Sequence, residues 1–242
     1  MYAYLFLGSF CTGKTTIIRK LAGILRSRGY SVISVEVNIN HGLAYLVTRF
    51  TVSLARYKYI GNYYLTFRFN NPRAFCKYLT LMMLLDSLFI PLKYAAIFLR
   101  TMLSSVRERS TVILIDEYYP NAIVDYEYFA NRLCREKSSL ARPIYSLFHK
   151  VAISYTIKTL KKFKPTLVIL IALNPLIAME LWRSRERSRI FDYAHFLYRT
   201  IGSIVLASSL GMYSRVLLFK VNDPRRDEAK ILKSLIRDIV MR

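Results

Sequence analysis

The sequence has no glutamine, only three cysteines and few acidic residues, and these shortages restrict the kinds of site and partner that we expect. The cysteines Cys11, Cys76 and Cys134 are odd in number, far apart and without the short spacings of metal ligands. They argue against a disulfide framework and against a zinc site, and a reducing cytoplasm suits them. The absence of glutamine beside many arginines is a composition found in thermophilic proteins.

Acidic residues are outnumbered by basic ones, 15 against 37, which gives a formal net charge of +22. Such an excess favours anionic partners, and nucleotides, nucleic acid and acidic lipid headgroups are the candidates. No recognisable nucleic-acid-binding motif accompanies the charge. The chain begins without a basic segment ahead of an apolar one, so we expect no signal peptide. The expected location is the cytoplasm, with association to an acidic membrane surface as an alternative.

The stretch GSFCTGKT, from Gly8 to Thr15, has the spacing of a phosphate-binding loop. A run typical of a buried strand precedes it and an amphipathic helical pattern follows, which is the context that this motif requires. Gly8 and Gly13 permit a tight turn that points backbone N–H groups at a phosphate. Lys14 is expected to reach the outer phosphates of ATP, and the Thr15 hydroxyl to bind Mg²⁺. The residues predicted to hold the nucleotide are Gly8, Ser9, Phe10, Cys11, Thr12, Gly13, Lys14, Thr15 and Thr16.

Hydrophobic residues make up 54% of the 242 residues, which is enough for one substantial core. Short apolar runs that read as strands occupy 2–7, 30–37, 111–115, 166–172 and 215–221. Helical patterns separate these runs, as in a parallel sheet with helices on its faces. We predict one P-loop NTPase domain over 1–242, a three-layer α/β/α fold with a central parallel five-stranded sheet. An enlarged helical insertion at about 38–110 separates strands 2 and 3.

Acidic side chains lie at the ends of two of the predicted strands. Asp116 ends the apolar run 111–115, at the sheet edge where ligands of open α/β folds bind. Beside a phosphate loop this carboxylate is expected to hold Mg²⁺ directly or through water, whereas a helix cap is its alternative role. Glu36 lies at the end of the second strand and is a candidate to orient the phosphate acceptor, and an ordinary surface ion pair is at least as good an interpretation.

The run from Leu79 to Leu99, inside the insertion, is apolar enough to suggest a membrane span. Asp86, Pro91 and Lys93 interrupt it, and a charge at the centre of a span costs about 2.5 to 3.5 kcal/mol. The sequence therefore favours a buried or interfacial helix over a true span.

Arginines stand at four alternate positions, Arg183, Arg185, Arg187 and Arg189. They cannot share one helical face, because alternate residues of a helix point about 200° apart. The pattern predicts a short irregular lid at about 183–189 between two helices. Closed over the phosphate loop, Arg183 and Arg187 are expected to neutralise charge on a transferring phosphoryl group, and a solvated basic loop is the alternative.

The order of these features resembles the thymidylate kinase group of nucleoside monophosphate kinases nearly end to end. After the phosphate loop come a helix ending RGY, then VILIDEYY, a strand with LNP, RSRERSR, FDYAHFLYRTI and FKVND. The resemblance implies phosphoryl transfer, dependent on ATP and Mg²⁺, to a nucleotide such as dTMP or a related pyrimidine deoxynucleotide. A homodimer is a further expectation. The implied catalytic residues are Lys14, Asp116, Glu36 and the lid arginines Arg183 and Arg187.

The sequence departs from this family on the acceptor side. Glu117 stands where the family has an arginine for the acceptor phosphate, and its negative charge is expected to repel that phosphate. No glutamine is present to read a thymine ring, and the insertion is longer than expected. The alternative function is a P-loop ATPase or nucleotide switch that acts on nucleic acid or at a membrane surface, with Glu117 polarising water.

Overall fold

A computed structural model of the chain describes residues 2–36, 43–59, 63–107, 111–117, 119–136, 138–186 and 190–241. The strands are β1 (Tyr2–Gly8), β2 (Ser31–Glu36), β3 (Thr111–Asp116), β4 (Thr166–Ala172) and β5 (Val216–Val221). The helices of the first half are α1 (Lys14–Ser27), α2 (Leu43–Leu54), α3 (Tyr63–Asn70) and α4 (Pro72–Arg107). Those of the second half are α5 (Tyr119–Tyr128), a π-helical turn (Phe129–Leu133), α6 (Ala141–Phe163), α7 (Pro175–Glu186), α8 (Tyr193–Leu210) and α9 (Pro224–Val240).

All five strands are parallel and form one sheet in the order β2-β3-β1-β4-β5. This confirms the predicted P-loop fold with its central five-stranded sheet, and the predicted strand ends differ from the observed ones by no more than one residue. Helices α2, α3 and α4 lie between β2 and β3 and form the predicted insertion. The phosphate loop follows β1, the central strand, and β3 delivers Asp116 beside it.

Successive side chains of β1 point to opposite faces of the sheet, and both faces are covered. Tyr4 and Phe6 pack with side chains of α1 and α9. Leu5 and Leu7 pack with side chains of α4, α5 and α6 on the other face. Because both faces are buried, the central strands are apolar throughout rather than alternating, which made them easy to recognise in the sequence.

The insertion is dominated by α4, which is 36 residues long. One side of it packs against α6 and the sheet, with Leu79 and Met83 in the main core. Asp86 is buried and accepts a hydrogen bond from the Tyr126 hydroxyl at 2.6 Å, so this charge lies inside the protein. Among the described helices, α4 alone is long and apolar enough to cross a membrane, by length and composition, and 33% of its apolar window is buried.

Cys76 and Cys134 form a disulfide, which corrects the argument from the sequence against a disulfide framework. They are 58 residues apart in sequence, but α4 and the π-helical turn bring their Cα atoms to 5.4 Å. Spacing in the sequence could not show this pairing, since it depends on how two distant helices pack. Disulfides are rare in a reducing cytoplasm, although intracellular proteins of hyperthermophiles carry them.

Two segments also differ from what the local pattern of the sequence indicates. A helical pattern in the sequence continues over about 121–140, but the helix ends at Leu133, after a turn in which the Cys134 N–H bonds to the Phe129 carbonyl at 2.8 Å. The polar, aromatic interval 59–71, which separates two helical patterns of the sequence, contains α3, whose Leu65 and Phe67 are buried. In both places tertiary packing overrides a weak local pattern.

Candidate nucleotide-binding site

The loop after β1 is curled, and glycine is required at both of its ends. Gly8 has φ 122°, and a Cβ there would lie 2.0 Å from the Leu170 carbonyl oxygen of β4. Gly13 has φ 77° and is the N-cap residue of α1. A side chain is unfavourable at such φ values, and at Gly8 there is no space for one. Glycine is therefore needed at Gly8 because the loop approaches β4 closely, and at Gly13 because the backbone is left-handed there.

Side chains inside the loop mainly hold its shape. The Ser9 hydroxyl lies 2.8 Å from the Thr200 hydroxyl of α8 and accepts a hydrogen bond from the Ala172 N–H at 3.2 Å. The Thr12 hydroxyl donates to the Ser9 carbonyl at 3.2 Å. Ser9 and Thr12 are both buried, whereas Thr16 is exposed on the first turn of α1. What the loop offers a ligand is therefore chiefly its backbone and the positive end of α1.

Lys14 is buried, with 5% of its surface exposed. Its ammonium group donates to the Ser9 carbonyl at 2.6 Å and lies 3.7 Å from a carboxylate oxygen of Glu117. Burial lowers the pKa of Lys14, and the neighbouring carboxylate of Glu117 partly offsets that effect. The cation thus lies against the loop, next to the N-terminus of α1.

Thr15 and Asp116, the two predicted metal ligands, are in contact. The Thr15 hydroxyl donates to Asp116 Oδ2 at 2.6 Å. Asp116 Oδ1 is buried and has no hydrogen-bond partner within the described part of the chain, and burial raises the pKa of this carboxyl. An unsatisfied carboxylate oxygen and the hydroxyl beside it can supply two of the oxygen ligands of a Mg²⁺ ion. Among the described residues, no group of three or more His, Cys, Asp or Glu could hold a metal ion, so phosphates and water would supply the other ligands, as is usual for Mg²⁺.

A cavity of about 510 Å³ opens in front of the loop. It lies between the loop, α7 and the start of α9. Its lining residues are Phe10, Cys11, Thr12, Gly13, Lys14, Thr15, Thr16, Ile17, Arg19, Glu117, Leu181, Ser184, Arg185, Pro224, Arg225 and Glu228. Seven of the nine residues that were predicted to hold the nucleotide, from Phe10 to Thr16, line this cavity. The volume is within the range of small-molecule sites.

Of the lid arginines, the structure brings Arg185 to the cavity. Arg183 is exposed and is not among the lining residues, and Arg187 lies outside the described residues. Arg183 and Arg185 belong to the last turns of α7, so the expected irregular backbone is wrong for this part of the lid. Because alternate residues of a helix point to different sides, one of the two faces the cavity and the other faces solvent. The guanidinium of Arg185 lies 5.2 Å from the centre of the Trp182 ring.

Arg199 of α8 is a buried cation that the sequence analysis missed. Its guanidinium donates to Asp125 at 2.7 Å, to Glu117 at 2.9 Å and to the Gly8 carbonyl at 3.3 Å. It also lies 4.1 Å from the centre of the Phe10 ring. Arg199 therefore ties the phosphate loop to the ends of β3 and α5. The one available signal was a charged residue on a largely apolar helix, FDYAHFLYRTI.

Glu117 is held by two cations in a strained backbone position, with φ 44°. Burial acts to raise its pKa, but Arg199 and Lys14 outweigh that effect and lower the pKa to about 2. The carboxylate is therefore ionised at neutral pH and pairs with cations of the protein. The expected repulsion of an acceptor phosphate is reduced accordingly, because each of these partners screens the charge.

A second polar cluster fixes the start of α8. Asp192 accepts from the His195 N–H at 2.9 Å as the N-cap of α8, and it forms an ion pair with the buried Arg68 of α3. The His195 ring lies 2.8 Å from Asp125 and stacks on Tyr128. Through these contacts the insertion is joined to the helix that carries Arg199.

Glu36, the predicted acceptor residue, ends the edge strand β2. It is paired in register with Asp116 and is exposed. The structure thus places it at the same edge of the sheet as the phosphate loop, and its role remains a prediction.

Comparison with known proteins finds similar structures but no matching sequence. No model of a protein family matches the chain, and no curated protein matches it. Among solved structures, it is similar to thymidylate kinase from Ehrlichia chaffeensis with 12% sequence identity and a TM-score of 0.49. That similarity covers 97% of this chain and 98% of the other.

Proposed function

We propose that the protein is a nucleoside monophosphate kinase that uses ATP and Mg²⁺. The observation that carries the proposal is that one cavity is lined by the curled loop, the buried Lys14, the Thr15 hydroxyl and Arg185. Backbone N–H groups, a helix N-terminus and cations around one space form a site for a chain of phosphates. The sequence resemblance to thymidylate kinases supports dTMP or a related pyrimidine deoxynucleotide as the acceptor.

In this proposal the residues act by positioning and by charge. The loop N–H groups bind the phosphates of ATP, and Lys14 exchanges the Ser9 carbonyl for an outer phosphate. Thr15 and Asp116 hold Mg²⁺, which when bound neutralises charge on the outer phosphates. Arg185, which lines the cavity, neutralises the charge that develops on the transferred group, the role that the sequence predicted for Arg183 and Arg187. Glu36 is proposed to orient the acceptor.

The geometry at Glu117 favours the kinase over a hydrolytic P-loop protein. A general base is most effective when its pKa lies near the working pH. The pKa of Glu117 is about 2, and its carboxylate is engaged by Arg199 and Lys14. It is therefore poorly suited to take a proton from water.

The kinase proposal is tested by incubating the full chain with ATP, Mg²⁺ and each of the common nucleoside monophosphates. We expect a nucleoside diphosphate from the acceptor as well as ADP, with a pyrimidine deoxynucleotide as the best acceptor. Lys14→Ala should lower kcat/KM by at least about 100-fold, because it removes the cation on the transferring phosphates. Lys233→Ala, at an exposed position of α9, is the matched control and should be neutral.

Two outcomes would overturn the proposal. The first is release of inorganic phosphate from ATP at a rate that no monophosphate changes, which would indicate an ATPase. The second is diphosphate formation that Lys14→Ala and Lys233→Ala leave equally intact, which would place the reaction elsewhere.

A further inference from the structure

Helix α4 carries a row of exposed apolar side chains, which we call the leucine stripe. Its members are Leu81, Leu84, Leu88, Leu92, Leu99 and Leu103, with exposed fractions between 36% and 69%. Ala95 and Ala96, also exposed, fill the interval in the middle. The spacing of three, four or seven residues keeps the stripe on one side of the helix over about 33 Å.

The leucine stripe lies opposite the side of α4 that packs on the protein. Leu79, Met83 and Ile90 are fully or almost fully buried in the main core, whereas Leu88 and Leu92 are 64% and 62% exposed. Soluble proteins rarely expose a continuous apolar row of this length without a partner. Helix α2, which contacts α4, repeats the feature with Leu46, Phe50 and Leu54, each more than half exposed.

The charges around the stripe have one sign. Arg73 and Lys77 are exposed just before it, and Arg100 is exposed near its end. Asp86 is the only acidic residue in 43–107, and it is buried against Tyr126. Helix α6, which packs beside α4, has no acidic residue and carries the basic run at 158–164. The surface that includes the leucine stripe is therefore apolar and cationic.

We propose that the leucine stripe binds the surface of an anionic lipid bilayer, with α4 parallel to the membrane plane. Its leucines would enter the boundary between headgroups and acyl chains, while Arg73, Lys77 and Arg100 contact the headgroups. This combination of an apolar face and flanking cations is what anionic lipid surfaces bind. A membrane span is disfavoured because the other side of α4 belongs to the protein core.

The positive charge around the leucine stripe also favours an anionic bilayer over a second copy of the chain, and the stripe itself favours a bilayer over nucleic acid. In a complex of two copies, α4 would bring cations against cations, and its one carboxylate, Asp86, is inside the protein. Nucleic acid would satisfy the cations, but it would leave the leucines of the stripe in water. An anionic bilayer satisfies both. The membrane proposal is independent of the proposed kinase activity, because vesicle binding requires no nucleotide.

The test is cosedimentation of the full chain with vesicles of phosphatidylglycerol or of phosphatidylcholine. We expect binding to the anionic vesicles and much weaker binding to the neutral ones. The double variant Leu88→Glu, Leu92→Glu should weaken binding to phosphatidylglycerol by at least about tenfold, because two exposed leucines that the bilayer would bury are lost. The matched control is Met212→Glu, 79% exposed in the turn after α8, which should change binding by less than about twofold.

A second variant separates the contribution of charge. Arg73→Gln with Lys77→Gln keeps the stripe and should weaken binding to the anionic vesicles by about fivefold or more. Circular dichroism and thermal melting should be unchanged in these variants, because all substituted side chains are exposed.

Several outcomes would overturn the proposal. One is the absence of vesicle binding at low salt, and another is equal loss of binding in the stripe variant and in Met212→Glu. A dimer in sedimentation equilibrium that Leu88→Glu dissociates, without vesicle binding, would assign the stripe to a second copy. Duplex DNA that displaces the vesicles and binds the stripe variant as tightly as the wild type would assign the surface to nucleic acid.

Discussion

The phosphate-loop edge of the sheet buries charged side chains, whereas the outer side of the insertion exposes apolar ones. Both are the reverse of the usual distribution in a protein. At the loop, Lys14 and Arg199 are 5% and 2% exposed, although buried charges are costly. On α4, Leu88 and Leu92 are more than 60% exposed, although apolar side chains favour the interior. Neither the buried cations nor the exposed leucines are required for the stability of the fold alone. In the two proposals above, the first region binds small anions and the second binds a lipid surface.

The two regions also differ in how strongly the rest of the molecule constrains them. The loop is held from several sides, by β4 through Ser9, by α8 through Arg199 and by β3 through Asp116. The leucine stripe has one constrained side only, and its outer side chains are exposed. We therefore expect substitutions at the loop to affect folding and substitutions at the stripe to affect association.

The largest effect is expected from Gly8→Ala. The added Cβ would lie 2.0 Å from the Leu170 carbonyl oxygen, at a φ of 122° that alanine rarely adopts. The strand or the loop would have to move, so we expect a loss of about 4 kcal/mol or more in the free energy of unfolding, or failure to fold. Urea denaturation of the variant and the wild type measures this difference in the free energy of unfolding.

The matched control is Gly23→Ala, inside α1, where the added Cβ has no described atom within 4 Å apart from its chain neighbours and the backbone of its own helix. It should stabilise the protein by about 0.5 to 1 kcal/mol, because glycine is the poorer helix former. If Gly8→Ala were as stable as Gly23→Ala, the close packing of the loop on β4 would be wrong.

The next largest effect concerns the covalent link between the insertion and the rest of the domain. The Cys76–Cys134 disulfide joins α4 to the end of the π-helical turn across 58 residues. Replacing both cysteines by serine should lower the free energy of unfolding by about 3 to 4 kcal/mol, because the unfolded chain gains freedom. Urea denaturation of the oxidised protein and the variant gives the difference.

Reduction of the wild type with dithiothreitol should reproduce most of that loss, and it should leave the double variant unchanged. Cys11→Ser alone, at the free cysteine of the loop, should shift stability by about 0.5 kcal/mol or less. If the wild type were equally stable before and after complete reduction, the disulfide would not stabilise the protein and the prediction would be wrong.

The smallest effect is a dependence on pH at Glu117. Its pKa falls from 4.5 to about 2 on folding, so the folded state binds this proton more weakly than the unfolded state. The resulting stability is present above about pH 4.5 and is lost as the pH falls towards 2. Glu117→Gln should therefore be less stable than the wild type at neutral pH, and the gap should narrow below about pH 4.5.

Denaturation midpoints measured from about pH 7 to pH 3 check this dependence. Glu180→Gln, in an exposed pair with Arg225 at 3.8 Å, removes the same charge and should give a much smaller gap at every pH. A gap for Glu117→Gln that stays constant with pH would show that Arg199 and Lys14 do not hold its carboxylate in the ionised form.

Local sequence predicted the parts of the site that follow directly from strand ends. GSFCTGKT, with a buried run before it and an amphipathic run after it, predicted the loop, and the apolar run before Asp116 predicted the carboxylate beside it. Both predictions succeeded in placing the residues together, as the 2.6 Å contact between Thr15 and Asp116 shows. Parallel strands bring their carboxyl ends to one edge, so position in sequence translates into position in space.

Residues that depend on helix packing were not predictable in this way. Arg199 reaches the loop because α8 packs on β1 and β4, and no spacing in the sequence encodes that contact. The choice of Arg185 over Arg183 depends on the rotation of α7 about its own axis. The Cys76–Cys134 bond depends on the placement of α4.

By itself, the sequence determined the parallel five-stranded sheet and the loop after its first strand, since period, turn residues and short-range spacing are local properties of the chain. Only the tertiary structure decided which cations surround Glu117, that two of three cysteines are joined, and that the leucines of α4 face outward. These features arise from contacts between residues far apart in sequence, and the free energies of such contacts depend on packing that no single segment specifies.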